Sequence, residues 1–268
     1  MGVYHWFRCL ADVRIQIMIN WHARFTQQAR WTADLRRFLL ERFSLEQGQR
    51  VLEVGCGTGA VLQSLSTSPI KTGIFGLDID RSFLEQAASN ASQAVLAQGD
   101  AHKLPFEDSS FGFVCCHYLL LWVKNPLLAL HEMRRVMYPG AWTAAFAEPD
   151  YGGRIDYPQE LIELGELQER SLQHQGADTR LGRRLKALFH EAGFIEFDCG
   201  VIGARWVGPD TKLESDLEWE VLSHDLHDFT DADQLARLRH IDDTSRASSQ
   251  RMLFVPTFYA AGQKPAGV

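Results

Sequence analysis

The chain has 268 residues, 46% of them hydrophobic and 23% charged, with a formal net charge of −7. That length and balance sit close to the averages of soluble globular proteins and support a substantial core without metal or disulfide staples. The negative charge argues against a protein devoted to gripping nucleic-acid phosphate, so nucleic acid is not an expected partner.

The first residues are aromatic, with Tyr4, Trp6 and Phe7, but Arg8, Asp12 and Arg14 break any signal-peptide run. No stretch approaches the roughly 20 apolar residues of a membrane span, so no membrane partner is expected. Trp6 stands where a myristoylation signal needs Ser or Thr. The five cysteines form no C-x-x-C pair and read as free thiols of a reducing compartment, giving a cytoplasmic expectation. Residues 1–50 carry eight arginines against four acids, and residues 210–243 carry eleven acids against three cations. Both biases read as solvated helical faces.

Taken in chain order, residues 25–43 place Trp31, Leu35, Phe38 and Leu39 on a helical stripe, within an N-terminal helical segment spanning residues 1–44. From Arg50, short β-rich runs alternate with helical patterns, the signature of a parallel sheet with crossover helices. Strands are expected at 50–55, 73–78, 94–98, 111–116 and 142–147, with helices at 60–66, 82–90 and 127–137 between them. Pro139-Gly140 stops the last of these helices. Further helices follow at 157–173 and 181–192, then a sixth strand at 194–202, an acidic helical insertion at 203–250, and a last strand at 253–261. His224 and His227, amid Asp225 and Asp228, read as a solvated helix end, and no metal site is expected.

Chemistry concentrates at Gly55-Cys56-Gly57-Thr58-Gly59, where a strand turns into a helix. Glycines there let the backbone approach a ligand, and the helix start offers unpaired N–H groups. Read as Gly55-x-Gly57-x-x-Ala60, the loop also fits a dinucleotide fingerprint. Asp78 ends the second strand, where a carboxylate can accept from both ribose hydroxyls. Asp100 ends the third, placed to accept from an adenine amino group. Glu53 sets a carboxylate beside the loop, which suits a positively charged amino-acid tail and repels a pyrophosphate. That favours a sulfonium amino-acid cofactor over NAD.

The run Val51-Leu-Glu-Val-Gly-Cys-Gly-Thr-Gly59 resembles the first motif of the class I S-adenosylmethionine-dependent methyltransferases, and Gly76-Leu-Asp-Ile-Asp80 the acidic end of their second strand. Residues 99–111 and Arg134-Arg-Val-Met-Tyr-Pro-Gly140 resemble the branch acting in ubiquinone and menaquinone biosynthesis. Gly112 and Ala141 depart from that branch's usual Phe-Asp and Pro-Gly-Gly. The resemblance implies an α/β fold with a Rossmann-like seven-stranded sheet, order 3-2-1-4-5-7-6, the last strand antiparallel, and helices on both faces. Residues 45–268 then form the methyltransferase domain, with helical insertions at about 151–178 and 203–250. The implied cofactor is S-adenosylmethionine, held by Glu53, Gly55, Cys56, Gly57, Thr58, Gly59, Asp78, Ile79, Asp100, Ala101 and His117. Residues 1–44 become a lid, with Arg24 and Arg30 as candidates for a carboxylate.

Ligands of open α/β sheets collect at the carboxyl ends of the strands. His117 is the first candidate base, against the reading that it only packs or touches cofactor. Tyr118, Glu148 and Tyr151 are candidate acceptor contacts. The expected reaction is in-line methyl transfer to a small molecule. A non-catalytic binding module, or methylation of protein or RNA, stands as the alternative.

Overall fold

A computed structural model of the protein describes residues 19–43, 48–66, 73–202 and 212–267. Tyr4, Trp6, Phe7, Cys9 and part of the 203–250 insertion lie outside the described residues. The described chain divides into two compact units, residues 21–149, 181–202 and 257–267 in one and 150–180 and 212–256 in the other.

The first unit is built on β1 (Arg50–Val54), β2 (Gly73–Asp78), β3 (Val95–Gln98), β4 (Phe111–Cys116) and β5 (Met137–Pro149). Crossovers carry α3 (Ala60–Ser66), α4 (Arg81–Asn90) and α5 (Pro126–Val136). Asp80 caps α4 by accepting from Ser82 and Phe83 N–H, and Asn125 caps α5 with Pro126 at its first turn. Later come α7 (Leu185–Glu191), β7 (Ile195–Ile202) and β9 (Thr257–Gln263). The sheet order is β3-β2-β1-β4-β5-β9-β7, and β9 runs antiparallel to both its neighbours. Counted within this sheet alone, the order is 3-2-1-4-5-7-6, as the sequence predicts. Every residue of β4 is buried, which explains why it reads as a continuous apolar run rather than an alternating one.

Before the sheet, α1 (Trp21–Trp31) and α2 (Ala33–Arg42) replace the single helix expected over 25–43. The chain breaks at Thr32, whose hydroxyl bonds back to the Ala29 carbonyl at 3.2 Å. The buried positions run Ala29, Thr32, Arg36, Leu39, Leu40 and Phe43, helical spacing carried across the break. Trp31 and Phe38, expected in the buried stripe, are 49% and 50% exposed. Phe43 stacks on Trp142 of β5 at 4.3 Å, seating α2 on the sheet. Burying each such side chain contributes roughly 1.5–3 kcal/mol.

The second unit holds β6 (Ile155–Tyr157), α6 (Ile162–His174), α8 (Lys212–Leu226), α9 (Ala232–Ala247) and β8 (Met252–Phe254). β6 and β8 pair as a separate two-stranded sheet, so the single last strand expected over 253–261 is two strands, β8 and β9, parted at Val255-Pro256. Leu161, Leu164, Leu167, Trp219, Leu222, Leu226 and Leu238 form this unit's own core. Its acidic excess is largely engaged: Asp156 bridges Arg154 and Arg251, Asp242 bridges Arg246 and Arg251, and Asp216 pairs with Arg239. The indole N–H of Trp219 donates to Asp242 at 2.8 Å.

Among the described residues, no helix is long and apolar enough to cross a membrane, and no group of three or more candidate ligands is placed to hold a metal. His224 bonds the Asp225 carboxylate, and His227 the His224 carbonyl.

Candidate cofactor and active site

The glycine loop leaves β1 in a conformation that side chains resist. Gly55, Gly57 and Gly59 have φ of 75°, 51° and 84°, all in the left-handed region. The N–H groups of Gly55 and Cys56 both donate to the Leu77 carbonyl, at 2.7 and 3.0 Å, fastening the loop to the end of β2. A Cβ on Gly55 would lie 2.7 Å from Leu119, and one on Gly57 3.1 Å from the Phe25 ring of α1. The loop therefore lies between α1 and the segment after β4.

Thr58 is wholly buried. Its hydroxyl meets His22 Nδ1 at 2.9 Å, and its carbonyl accepts from Asn90 Nδ2 at 3.0 Å. Burial pushes the His22 imidazole below its ordinary pKa, a backbone hydrogen bond to Thr58 opposing, and Asn90 Nδ2 also lies 3.0 Å from its Nδ1.

Asp78 gives one oxygen to Gly57 N–H at 2.7 Å and the other to Asp80 N–H at 2.9 Å. Burial raises its pKa above the ordinary carboxylate range, while the amides of Asp80, Gly57 and Ile79 pull the other way. Each oxygen keeps a lone pair for a further donor, which suits a ribose diol. Glu53 is only 2% exposed, and its Oε2 has no hydrogen-bond partner among the described residues. Burial pushes its pKa well up, and Arg36 opposes that shift. An orphaned buried carboxylate oxygen beside a glycine loop fits the ammonium of an amino-acid tail.

Asp100 is exposed, and its Oδ1 accepts from the His102 amide at 2.9 Å and from His102 Nδ1 at 2.7 Å. Burial would raise its pKa, but those His102 bonds outweigh it and the net shift is downward. Ala101 is buried, and the Ile79 carbonyl accepts from Gln98 at 3.1 Å. These residues line the ends of β2 and β3, as the register Asp78↔Gln98 requires.

The segment after β4 is organised by Glu148. Its carboxylate is fully buried and accepts from the successive N–H groups of Leu119, Leu120 and Leu121, at 3.2, 2.9 and 3.1 Å. Burial raises its pKa to about 8, against the pull of the three amides. Expected to meet the acceptor, Glu148 instead spends both oxygens on backbone. It thereby holds Tyr118 in the left-handed region at φ 53° and sets Leu119 against Gly55.

His117 packs edge-on against Tyr118 and shares a 3.0 Å hydrogen bond with Thr32. Burial first, and the Arg36 charge second, lower its pKa to about 3. Such an imidazole stays neutral at physiological pH and is a weak base. Tyr151 belongs to the second unit, on the turn 151–153, whereas Tyr118 and Glu148 belong to the first. Sequence reasoning did not single out His22, Thr32, Arg36 or Leu119. A signal existed for two of them, because Thr32 and Arg36 fall in phase with Leu39, Leu40 and Phe43.

A mostly parallel sheet in this order, with a glycine loop flanked by carboxylates at the ends of β1 and β2, defines a Rossmann-like nucleoside-binding domain. Residues 52–145 match the methyltransferase domain family. The chain is 30% identical over 195 residues to demethylmenaquinone methyltransferase of Staphylococcus aureus (strain JH9), covering 64% of this chain and 76% of that protein. Its fold is similar to a putative methyltransferase from Bacillus halodurans C-125, with a TM-score of 0.59, 17% identity, and 87% and 99% of the two chains covered. It is also similar to Haemonchus contortus phosphoethanolamine N-methyltransferase 2, solved with S-adenosylhomocysteine, at a TM-score of 0.56 and 17% identity over 87% of this chain and 53% of that one. The chain belongs to the class I S-adenosylmethionine-dependent methyltransferases. It is an enzyme, and S-adenosylmethionine is its cofactor.

Proposed function

We propose that the protein transfers a methyl group to a small hydroxyaromatic acceptor of the quinol type. The observation that carries this reading is the 30% identity, over 76% of its length, to a demethylmenaquinone methyltransferase. In this reading Gly55, Cys56, Gly57, Thr58, Gly59 and Ile79 shape the cofactor's bed, and Asp78 takes the ribose. Asp100 and Ala101 stand at the adenine end, and Glu53 at the ammonium. Tyr118 is the aromatic candidate for the acceptor in the first unit. Bound S-adenosylmethionine supplies an electrophilic methyl group on its sulfonium.

Neither His117, the first candidate base, nor Glu148 is well equipped for base chemistry. His117 is neutral and weakly basic, and Glu148 is committed to three amides. An acceptor that is itself acidic, such as a hydroxyaromatic, makes the least demand on a protein base. His117 is then a packing residue, and His117→Gln should leave the pH–rate profile between about pH 5.5 and 8 unchanged. An acid limb that vanishes in this variant would reinstate the imidazole as base.

The acceptor itself is tested by mass spectrometry of reactions with reduced naphthoquinones bearing an unsubstituted ring carbon, beside peptide and RNA controls. Ring methylation matched by S-adenosylhomocysteine release is the expected result. Methylation of the peptide or RNA alone would overturn the small-molecule reading. Cofactor binding without turnover on any reduced naphthoquinone would overturn the quinol-type acceptor.

A further inference from the structure

Arg36 is 4% exposed, yet no carboxylate forms an ion pair with it among the described residues. A buried guanidinium without such a partner is costly. Its Nη1 donates to the Ala29 carbonyl at 2.7 Å and to the Thr32 hydroxyl, and its Nη2 donates to the Ser64 hydroxyl at 3.2 Å. A guanidinium has five N–H donors, so Nε–H and the second Nη2 hydrogen remain without a partner among the described residues. Glu53 is the mirror case, buried and acidic, with Oε2 unpartnered. The two groups feel each other's charge, while Arg36's hydrogen bonds go to Ala29, Thr32 and Ser64 rather than to Glu53. A basic and an acidic side chain, both buried and each with hydrogen-bonding capacity to spare among the described residues, offer complementary partners for a zwitterion.

We propose that Arg36 is the carboxylate clamp of the cofactor site, its two spare donors taking the α-carboxylate of the amino-acid tail while Glu53 takes the ammonium. Planar guanidinium donors suit a carboxylate's two oxygens. Arg36 thus takes the role that the sequence offered to Arg24 and Arg30. Arg24 instead lies over the Trp31 ring and bonds Gln27, and Arg30 is exposed. The assignment uses the established cofactor and is independent of which acceptor is methylated.

The test is equilibrium binding of S-adenosylmethionine and of decarboxylated S-adenosylmethionine, which keeps the sulfonium and ammonium but lacks the carboxylate. The wild-type protein should prefer the intact cofactor by roughly ten- to a hundredfold. Arg36→Gln should abolish that preference while keeping affinity for the decarboxylated ligand, and Arg36→Lys should restore part of it. A purely structural role would weaken both ligands alike. Should neither variant fold, the wild-type protein decides through its Arg36 Nε–H resonance. That signal should shift with S-adenosylhomocysteine and stay in place with 5′-methylthioadenosine. Equal wild-type affinity for the two cofactors, an undiminished preference in Arg36→Gln, or a resonance indifferent to the tail each overturns the proposal.

Discussion

Gly57→Val is expected to abolish measurable S-adenosylmethionine binding while leaving a folded but weakened protein. Gly57 sits at φ 51°, where a β-branched residue costs about 1–3 kcal/mol. The new Cβ would also lie 3.1 and 3.3 Å from two atoms of the Phe25 ring. That ring is confined by Trp21 at 5.7 Å and Phe83 at 5.5 Å between centroids, so it has little room to withdraw. The loop must move instead, pulling Gly57 N–H from Asp78 and disturbing the bed of the cofactor. Losing two charge-assisted contacts at about 1.5–3 kcal/mol each corresponds to more than about a hundredfold in affinity. Gly140→Val is the control: its φ is 78° and a Cβ there meets nothing within 4 Å. It should lower the melting temperature comparably and leave binding intact. Calorimetry and thermal unfolding check both, and near wild-type affinity in Gly57→Val would falsify the assignment of the loop.

The sheet and glycine loop were legible because their constraints are local. β4 must be apolar throughout because it is buried on both faces, and three glycines in five residues mark backbone that side chains cannot follow. β1, β2 and β4 accordingly fall within a residue of the pattern. What stayed hidden depends on partners far along the chain. β5 runs from Met137 to Pro149, well beyond the expected 142–147, because β4 and β9 pair along it. Met252–Phe254 looks continuous with Thr257–Gln263 until its pairing with Ile155–Tyr157 assigns it to another sheet.

The site shows the same division. Asp78 and Glu53 announce themselves by position at strand ends. Arg36 does not, because an arginine on an amphipathic helix normally points to water. Only its phase with Ala29, Thr32, Leu39 and Leu40 betrays a guanidinium turned inward. Glu148 misleads in the opposite sense. A carboxylate at the end of a central strand looks like chemistry, yet three backbone amides claim it, and only folded coordinates reveal that demand.

Asp78→Ala should weaken every adenosine-containing ligand by a similar factor, and here the contrast with Arg36 is sharpest. The carboxylate has two duties: it fixes Gly57 and Asp80 through their amides, and it presents its remaining lone pairs to a diol. Alanine removes both and leaves two amides unpaired. Two hydrogen bonds to a charged group, at about 1.5–3 kcal/mol each, predict a loss above about a hundredfold. The effect on stability should be much smaller, because burial already raises the Asp78 pKa. A carboxylate of raised pKa stabilises the fold below its unfolded pKa and loses that contribution as pH rises through the folded one. At neutral pH its removal therefore relieves a desolvation cost that partly offsets the unpaired amides. The decisive measurement is binding of adenosine alone, which carries the ribose but no amino-acid tail. Asp78→Ala should weaken adenosine, S-adenosylhomocysteine and S-adenosylmethionine in parallel, whereas Arg36→Gln should spare adenosine. An Asp78→Ala protein that holds adenosine as the wild type does would move the ribose elsewhere along the sheet edge.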